Sequence, residues 1–158
     1  MAVLTFKDAD ISELPEIISL ITRSKSHFHP NKERYVTNFV QAWGPNTYYI
    51  EDNILLIAKH QNTSIGIIGM RAPSSKRHFA ELDLLFIDNL FIGQGYGKQL
   101  WNKAKEIAKK EDWESFQFIS DNTPEVVGFY EKMGAASIEN LTLATGCFPI
   151  MEYILPNN

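Results

Sequence analysis

Cysteine is nearly absent. Cys147 stands alone among 158 residues, so neither an internal disulfide nor a multi-cysteine zinc site can form, and a reducing compartment is the expected setting. Long apolar runs are missing too: Ile54 to Ala58 is the longest, against the roughly 18 residues of a membrane helix, so no membrane partner is expected. Positive charge is not in excess, because 15 Lys and Arg face 19 Asp and Glu for a net charge of −4. A nucleic-acid binder would favour a basic face, and no nucleic-acid partner is expected. The opening residues reach Asp8 and Asp10 before any sustained apolar stretch. That order is unlike a basic-then-apolar export signal, and a cytoplasmic protein is expected. Repeats, low-complexity tracts and Pro/Gly/Ser linkers are also lacking. What remains is 44% hydrophobic and 22% charged, an ordinary globular composition that suits a single domain over residues 1–158.

The pattern along the chain alternates between helix and strand. Val3 to Phe6 reads as a short strand, and Asp10 with Glu13 forms a capping-box arrangement before apolar residues at Ile11, Leu14, Ile17, Ile18 and Ile21. Ser24 to Pro30 reads as a polar break, after which Asn31 caps a helix carrying Tyr35, Phe39 and Trp43, ended by Gly44-Pro45. Ile54 to His60 and Ser64 to Met70 form a hairpin around Gln61-Asn62-Thr63. Ala80 to Ile87 is the next strand, leading into Gly93-Gln94-Gly95-Tyr96-Gly97 and a long helix whose apolar face is Tyr96, Leu100, Ala104, Ile107 and Ala108. Ser115 to Ser120 is a strand, Thr123-Pro124 starts a helix that Gly134 closes, and strand-like segments follow near Ser137 to Asn140 and Ile150 to Leu155. This order predicts a mixed α/β sheet with a parallel pair around the long helix.

Gly93, Gly95 and Gly97 sit between an apolar strand and an amphipathic helix. Residues without Cβ let the backbone approach a ligand, and a helix start carries roughly half a positive charge, so the turn suits an anion such as a pyrophosphate. The glycines alone equally suit a bare strand-to-helix corner. A Walker loop would need Gly at Ile92 and Ser or Thr at Gln99, and a dinucleotide fingerprint would need Gly at Lys98. Neither spacing is met.

The stretch Leu85 to Leu100, with Gly93-Gln94-Gly95-Tyr96-Gly97 at its centre, resembles the coenzyme A motif of the GNAT superfamily of acetyltransferases, Gln/Arg-x-x-Gly-x-Gly/Ala. Ser120 to Gly134 resembles the family's second signature, an Asn before a helix ending in Phe-Tyr-x-x-x-Gly. The resemblance implies a single-domain α/β fold with a mixed, mostly antiparallel sheet, a splayed parallel strand pair and helices on both faces. It also implies an acetyl-CoA dependent N-acetyltransferase acting on a small-molecule or peptide amine. Acetyl-CoA would be the donor, with no metal. Its diphosphate would meet Ile92, Gly93, Gln94, Gly95, Tyr96, Gly97 and Lys98, its thioester the main chain near Phe86 or Ile87, and Asn122 would add a further contact. Ile92 replaces the usual Gln or Arg, so altered affinity is expected rather than lost binding. Lys98, Lys103 and Lys105 are the candidate phosphate partners.

Transfer to an amine needs a neutral nucleophile, a polarised carbonyl and an acid for the departing sulfur. Tyr130 occupies the position of the family's general acid, although its helical spacing also suits packing. Glu81 stands on the strand where histone-modifying members place a catalytic glutamate, and strand alternation puts Asp83 on the same face. An exposed strand carboxylate is the plainer reading of Glu81. His27, His29, Tyr35 and Trp43 lie where the family builds its acceptor pocket, or else are loop polar residues and a packing stripe. Cys147 is expected to be inert packing. A non-catalytic module that senses acetyl-CoA is the alternative function, and the Ile150 to Leu155 strand can pair either within the domain or across two copies as a homodimer.

Overall fold

The computed structural model describes residues 2–157. Seven strands form one mostly antiparallel sheet in the order β1-β2-β3-β4-β5-β7-β6: β1 Thr5–Asp8, β2 Ile54–His60, β3 Thr63–Arg71, β4 Ala80–Ile87, β5 Ser115–Ile119, β6 Ala136–Leu143 and β7 Gly146–Ile154. The helices are α1 Leu14–Phe28, α2 Glu33–Trp43, α3 Thr47–Asp52, α4 Tyr96–Lys110 and α5 Pro124–Lys132. The expected α/β class is therefore the observed one. The chain gathers into two compact units. One runs to Met70 and resumes over Leu84–Asn102, and the other holds Arg71–Asp83 and the chain from Lys103 onward.

In the first unit the core is built by α1 on β2 and β3. Ile17, Leu20 and Ile21 pack with Leu55, Ile57, Ile67 and Leu84, and Phe39, Val40 and Phe86 close over them. Glu13 accepts the main-chain N–H of Asp10 at 2.9 Å, the reciprocal half of the expected capping box. The Ser24 to Pro30 break is corrected: α1 continues through it to Phe28. Ser24 and Lys25 turn inward while Arg23, Ser26 and His27 remain exposed, and Lys25 and His27 in the last turn complement the negative helix end. Asn31 does not cap α2. It adopts a left-handed φ of 61°, which asparagine tolerates, and Lys32 takes the cap position.

The α2 stripe also shifts. Val36 is buried and Phe39 and Val40 join the core, whereas Trp43 is 53% exposed. Helix α3 was not anticipated, yet its signal was present: the Asn46 side chain accepts the Tyr49 N–H at 2.9 Å. Strand β1 lies two residues later than Val3 to Phe6. It is held at its start by Gln99 of α4, whose amide takes the Leu4 N–H at 2.9 Å and donates to the Ala2 carbonyl at 2.8 Å.

In the second unit β5 is the organising strand. It runs parallel to β4 at Ala80↔Phe116 and Glu81↔Gln117, and antiparallel to β7 from Ser115↔Ile154 to Ile119↔Ile150. Phe116 stacks near Phe118 and Tyr153, with centroids at 6.4 and 5.5 Å. The last two strands are longer than expected and form a hairpin closing at Leu143↔Gly146. Strand β7 is thus paired on both sides within the chain, which is the first of the two pairings open to Ile150 to Leu155. Cys147 is exposed at the start of β7, contrary to the packing role expected of it.

Candidate active site

The glycine turn follows from a strand that must stop and a helix that must begin. After Ile87, Asp88 and the 3-10 turn Asn89–Phe91 carry the chain to Ile92, which is extended at φ −67° and ψ 141°. Gly93 and Gly95 then adopt φ of 83° and 87°, a region that costs residues with a Cβ roughly 1–2 kcal/mol. A Cβ at Gly93 would meet nothing within 4 Å, so there the constraint is purely conformational. Gly93, Gln94, Gly95 and Lys98 are exposed, and the turn opens the 15-residue helix α4. Exposed main chain in left-handed conformation ahead of a positive helix end is a setting for an anion.

Some expected side chains have other employment. Tyr96 is buried beside Phe91 with ring centroids 6.3 Å apart, and Phe86 packs edge-on to Phe39 at 6.1 Å, so neither side chain is offered to a ligand. Gln94 donates back to the Leu90 carbonyl at 3.2 Å and braces the turn. Lys103 pairs with Glu106 at 3.0 Å and Lys105 lies 5.8 Å over the Tyr153 ring. Lys98 stands exposed on the first turn of α4.

Tyr130 is placed by a well-terminated helix. Thr123 accepts the Val126 N–H at 3.2 Å, Pro124 occupies the first turn, and Gly134 ends the element with a φ of 99°. The Tyr130 ring lies 4.5 Å from Phe118 and 5.2 Å from Phe129. Burial desolvates the phenolate and raises the Tyr130 pKa well above its ordinary 10.0, and the Asp121 carboxylate adds like-charge repulsion. The phenol therefore holds its proton throughout the neutral range. Asn122 is exposed just before the helix, its capping duty taken by Thr123.

Glu81 and Asp83 do share a face of β4, and both meet a residue that sequence reasoning missed. Arg71, the last residue of β3, reaches Asp83 Oδ2 with Nε at 3.0 Å and Glu81 Oε1 with Nη2 at 3.6 Å. Both carboxylates are partly buried, so Glu81 is not the freely exposed strand residue of the plainer reading. An arginine at a strand end, facing carboxylates at i and i+2 on a later strand, was the available signal.

Among the acceptor candidates, His29 and Tyr35 come together, with ring centroids 4.8 Å apart. His27 is exposed in the last turn of α1 rather than in a loop, and Trp43 lies eight residues beyond Tyr35, about 12 Å along α2. Lys25 is the unanticipated member. Only 6% exposed, it holds its ammonium 4.2 Å from the Phe39 ring centroid and 5.7 Å from that of Tyr35. A second unanticipated pair is Arg23 with Asp88, whose hydrogen bond raises the arginine's already high pKa. Among the described residues no group of three or more His, Cys, Asp and Glu is placed to hold a metal, and no helix is long and apolar enough to cross a membrane.

A family model for the acetyltransferase (GNAT) domain matches residues 24–151, which is most of the chain and includes the glycine turn and the helix bearing Tyr130. The chain belongs to the GNAT acetyltransferase family. A PaiA N-acetyltransferase from Thermoplasma acidophilum, solved with coenzyme A, has a similar fold at a TM-score of 0.74 and 20% identity over 98% of this chain and 100% of that one. A spermidine N-acetyltransferase chimera from Vibrio cholerae and hSSAT reaches 0.73 at 15% identity, covering 97% and 96%. A ribosomal-protein alanine N-acetyltransferase from Escherichia coli reaches 0.70 at 15% identity, covering 98% and 96%. No curated protein sequence matches significantly. As a GNAT N-acetyltransferase the enzyme takes its acetyl group from acetyl-CoA and needs no metal.

Proposed function

We propose that this GNAT enzyme acetylates a primary amine by direct attack on the thioester, as one N-acetyltransferase domain over residues 1–158. The observation that carries the reading is the pair of left-handed glycines on an exposed turn ahead of α4, with main-chain N–H groups from Gly93 to Lys98 receiving the diphosphate. Lys98 adds a positive charge there, Asn122 a polar contact, and the Phe86 and Ile87 main chain polarises the carbonyl. The family match runs through both compact units, which supports treating them as one functional domain.

An alkyl ammonium with pKa near 10.4 is neutral in only about one molecule in a few thousand at pH 7, so losing its proton is a necessary step. Glu81 accepts that proton directly or through water, with Asp83 beside it and Arg71 fixing both carboxylates. The new N–C bond forms as the C–S bond breaks, and the Tyr130 O–H supplies the proton to the leaving sulfur. His27, His29, Tyr35 and Trp43 contribute to acceptor binding. A small-molecule or peptide amine is the acceptor, and the sole, exposed thiol of Cys147 fits work in the reducing cytoplasm.

Steady-state release of free coenzyme A from acetyl-CoA, measured across a panel of amines, tests the reading. Release that depends on an added amine is the expected result. Thermal stabilisation by acetyl-CoA with no release for any amine would overturn it.

A further inference from the structure

We infer that Arg23 and Asp88 are a positioning pair that sets where the chain leaves β4 and so fixes the acetyl-CoA turn; this rests on the reading of the glycine turn given above. The two residues are 65 apart in sequence, and their contact is two-pronged: Arg23 Nε donates to Asp88 Oδ1 at 3.1 Å and Nη2 to Oδ2 at 2.8 Å. A planar fork of this kind fixes direction as well as distance, which a lysine ammonium cannot do. Asp88 is only 6% exposed, and a carboxylate removed from water needs such a partner.

The main chain of Asp88 is held as firmly as its side chain. Its N–H donates to the Ile65 carbonyl of β3 at 2.8 Å, and its carbonyl accepts the Phe91 N–H at 2.8 Å to begin the 3-10 turn. Three elements therefore converge on one residue: α1, β3 and the turn. Five positions later the chain enters Gly93, where no side chain exists to anchor it and where the preceding Ile92 offers no polar group. The turn takes its placement from upstream, and Asp88 is the nearest residue tied on both its main chain and its side chain. Arg23 in turn sits two residues before Lys25 on the helix that ends in His27 and Phe28. The arm proposed to carry the acceptor and the turn proposed to carry the donor thus share one tie.

The test is coenzyme A affinity by calorimetry alongside steady-state kinetics. Arg23 is half-exposed, so Arg23→Met removes the fork with little loss of packing. The expected result is about tenfold weaker coenzyme A binding, with a matching rise in KM for acetyl-CoA and kcat at saturating donor within about twofold. Arg23→Lys restores the charge without the fork and is expected to recover only part of the affinity. Should the Met variant not fold, Asp88→Asn keeps the shape and main-chain bonds and carries the same readout. A lowered melting temperature with unchanged coenzyme A affinity would overturn the inference, since a merely structural pair predicts that outcome. Gly95→Val separates the two levels. If it binds coenzyme A normally, the reading of the turn fails. If it binds weakly while both pair variants bind normally, only the Arg23 and Asp88 inference fails.

Discussion

Tyr130 and Phe118 hold their rings 4.5 Å apart, centroid to centroid, at a tilt of 55°. Phe118 is buried on β5, so a strand of the sheet fixes the aromatic body of the tyrosine and leaves the hydroxyl as its one chemical handle. Replacing Tyr130 by Phe keeps that ring contact and removes only the handle. Turnover in Tyr130→Phe is expected to fall by roughly 10²-fold or more with coenzyme A affinity preserved. Equal steady-state turnover in the two proteins would remove Tyr130 from the acid role.

The same phenol makes a prediction about alkaline stability. Its folded pKa lies above the ordinary 10.0 because burial disfavours the phenolate, so the folded state binds the proton more tightly than the unfolded chain does. The stabilising contribution is complete below pH 10, and it is lost as pH climbs from 10 toward the raised folded value. Denaturant unfolding at several pH values should give wild type and Tyr130→Phe parallel stabilities below pH 9.5 or so, with wild type falling faster above about pH 10. Curves that stay parallel to pH 11 or so would show that the phenol is not buried in this way.

The glycine turn offers a graded pair of substitutions. At Gly93 an added Cβ meets nothing within 4 Å, so Gly93→Ala reports the cost of its φ of 83° alone, roughly 1–2 kcal/mol. Gly95→Val adds a β-branched side chain at φ 87° on the exposed turn and is expected to weaken coenzyme A binding more than Gly93→Ala. Titration calorimetry that ranks the two the other way would contradict this.

Glu81 and Arg71 are separable by the pH dependence of the reaction. In Glu81→Gln the kcat/KM for the amine is expected to drop by about 10²-fold near pH 7, and the deficit should shrink as pH nears the amine's own pKa of about 10.4, where the substrate arrives neutral. Arg71→Met leaves both carboxylates in place but unfixed, and a smaller loss is expected. A deficit in Glu81→Gln that is constant across pH would mean that the carboxylate does not take the proton.

Legibility in the sequence tracked the range of the interaction involved. The Thr123 cap, the Gly134 stop, the hairpin around Gln61 and the glycine turn all depend on residues within a few positions of one another, and all were readable. The end of α1 was misplaced because a run of polar residues resembles a break until the burial of Ser24 and Lys25 is known. Helix α3 is not legible from periodicity, because its six residues follow directly on the Gly44-Pro45 breaker and carry only the Asn46 cap as a local mark. Of the Tyr35, Phe39 and Trp43 stripe, Phe39 joins the core with Val36 and Val40 while Trp43 is exposed, for a related reason. Four-residue spacing marks a helix face, and only the neighbouring element decides which face is covered.

What the amino-acid order alone determined was the glycine turn, the helix bearing Tyr130 and the strand alternation that sets Glu81 beside Asp83, because dihedral preference and side-chain period act over short stretches. The tertiary structure decided the partners. Arg71 reaches Glu81 and Asp83 from another strand, and Arg23 reaches Asp88 across 65 positions. Whether a charge is paired, or a ring buried, depends on groups that only folding brings within a few ångströms.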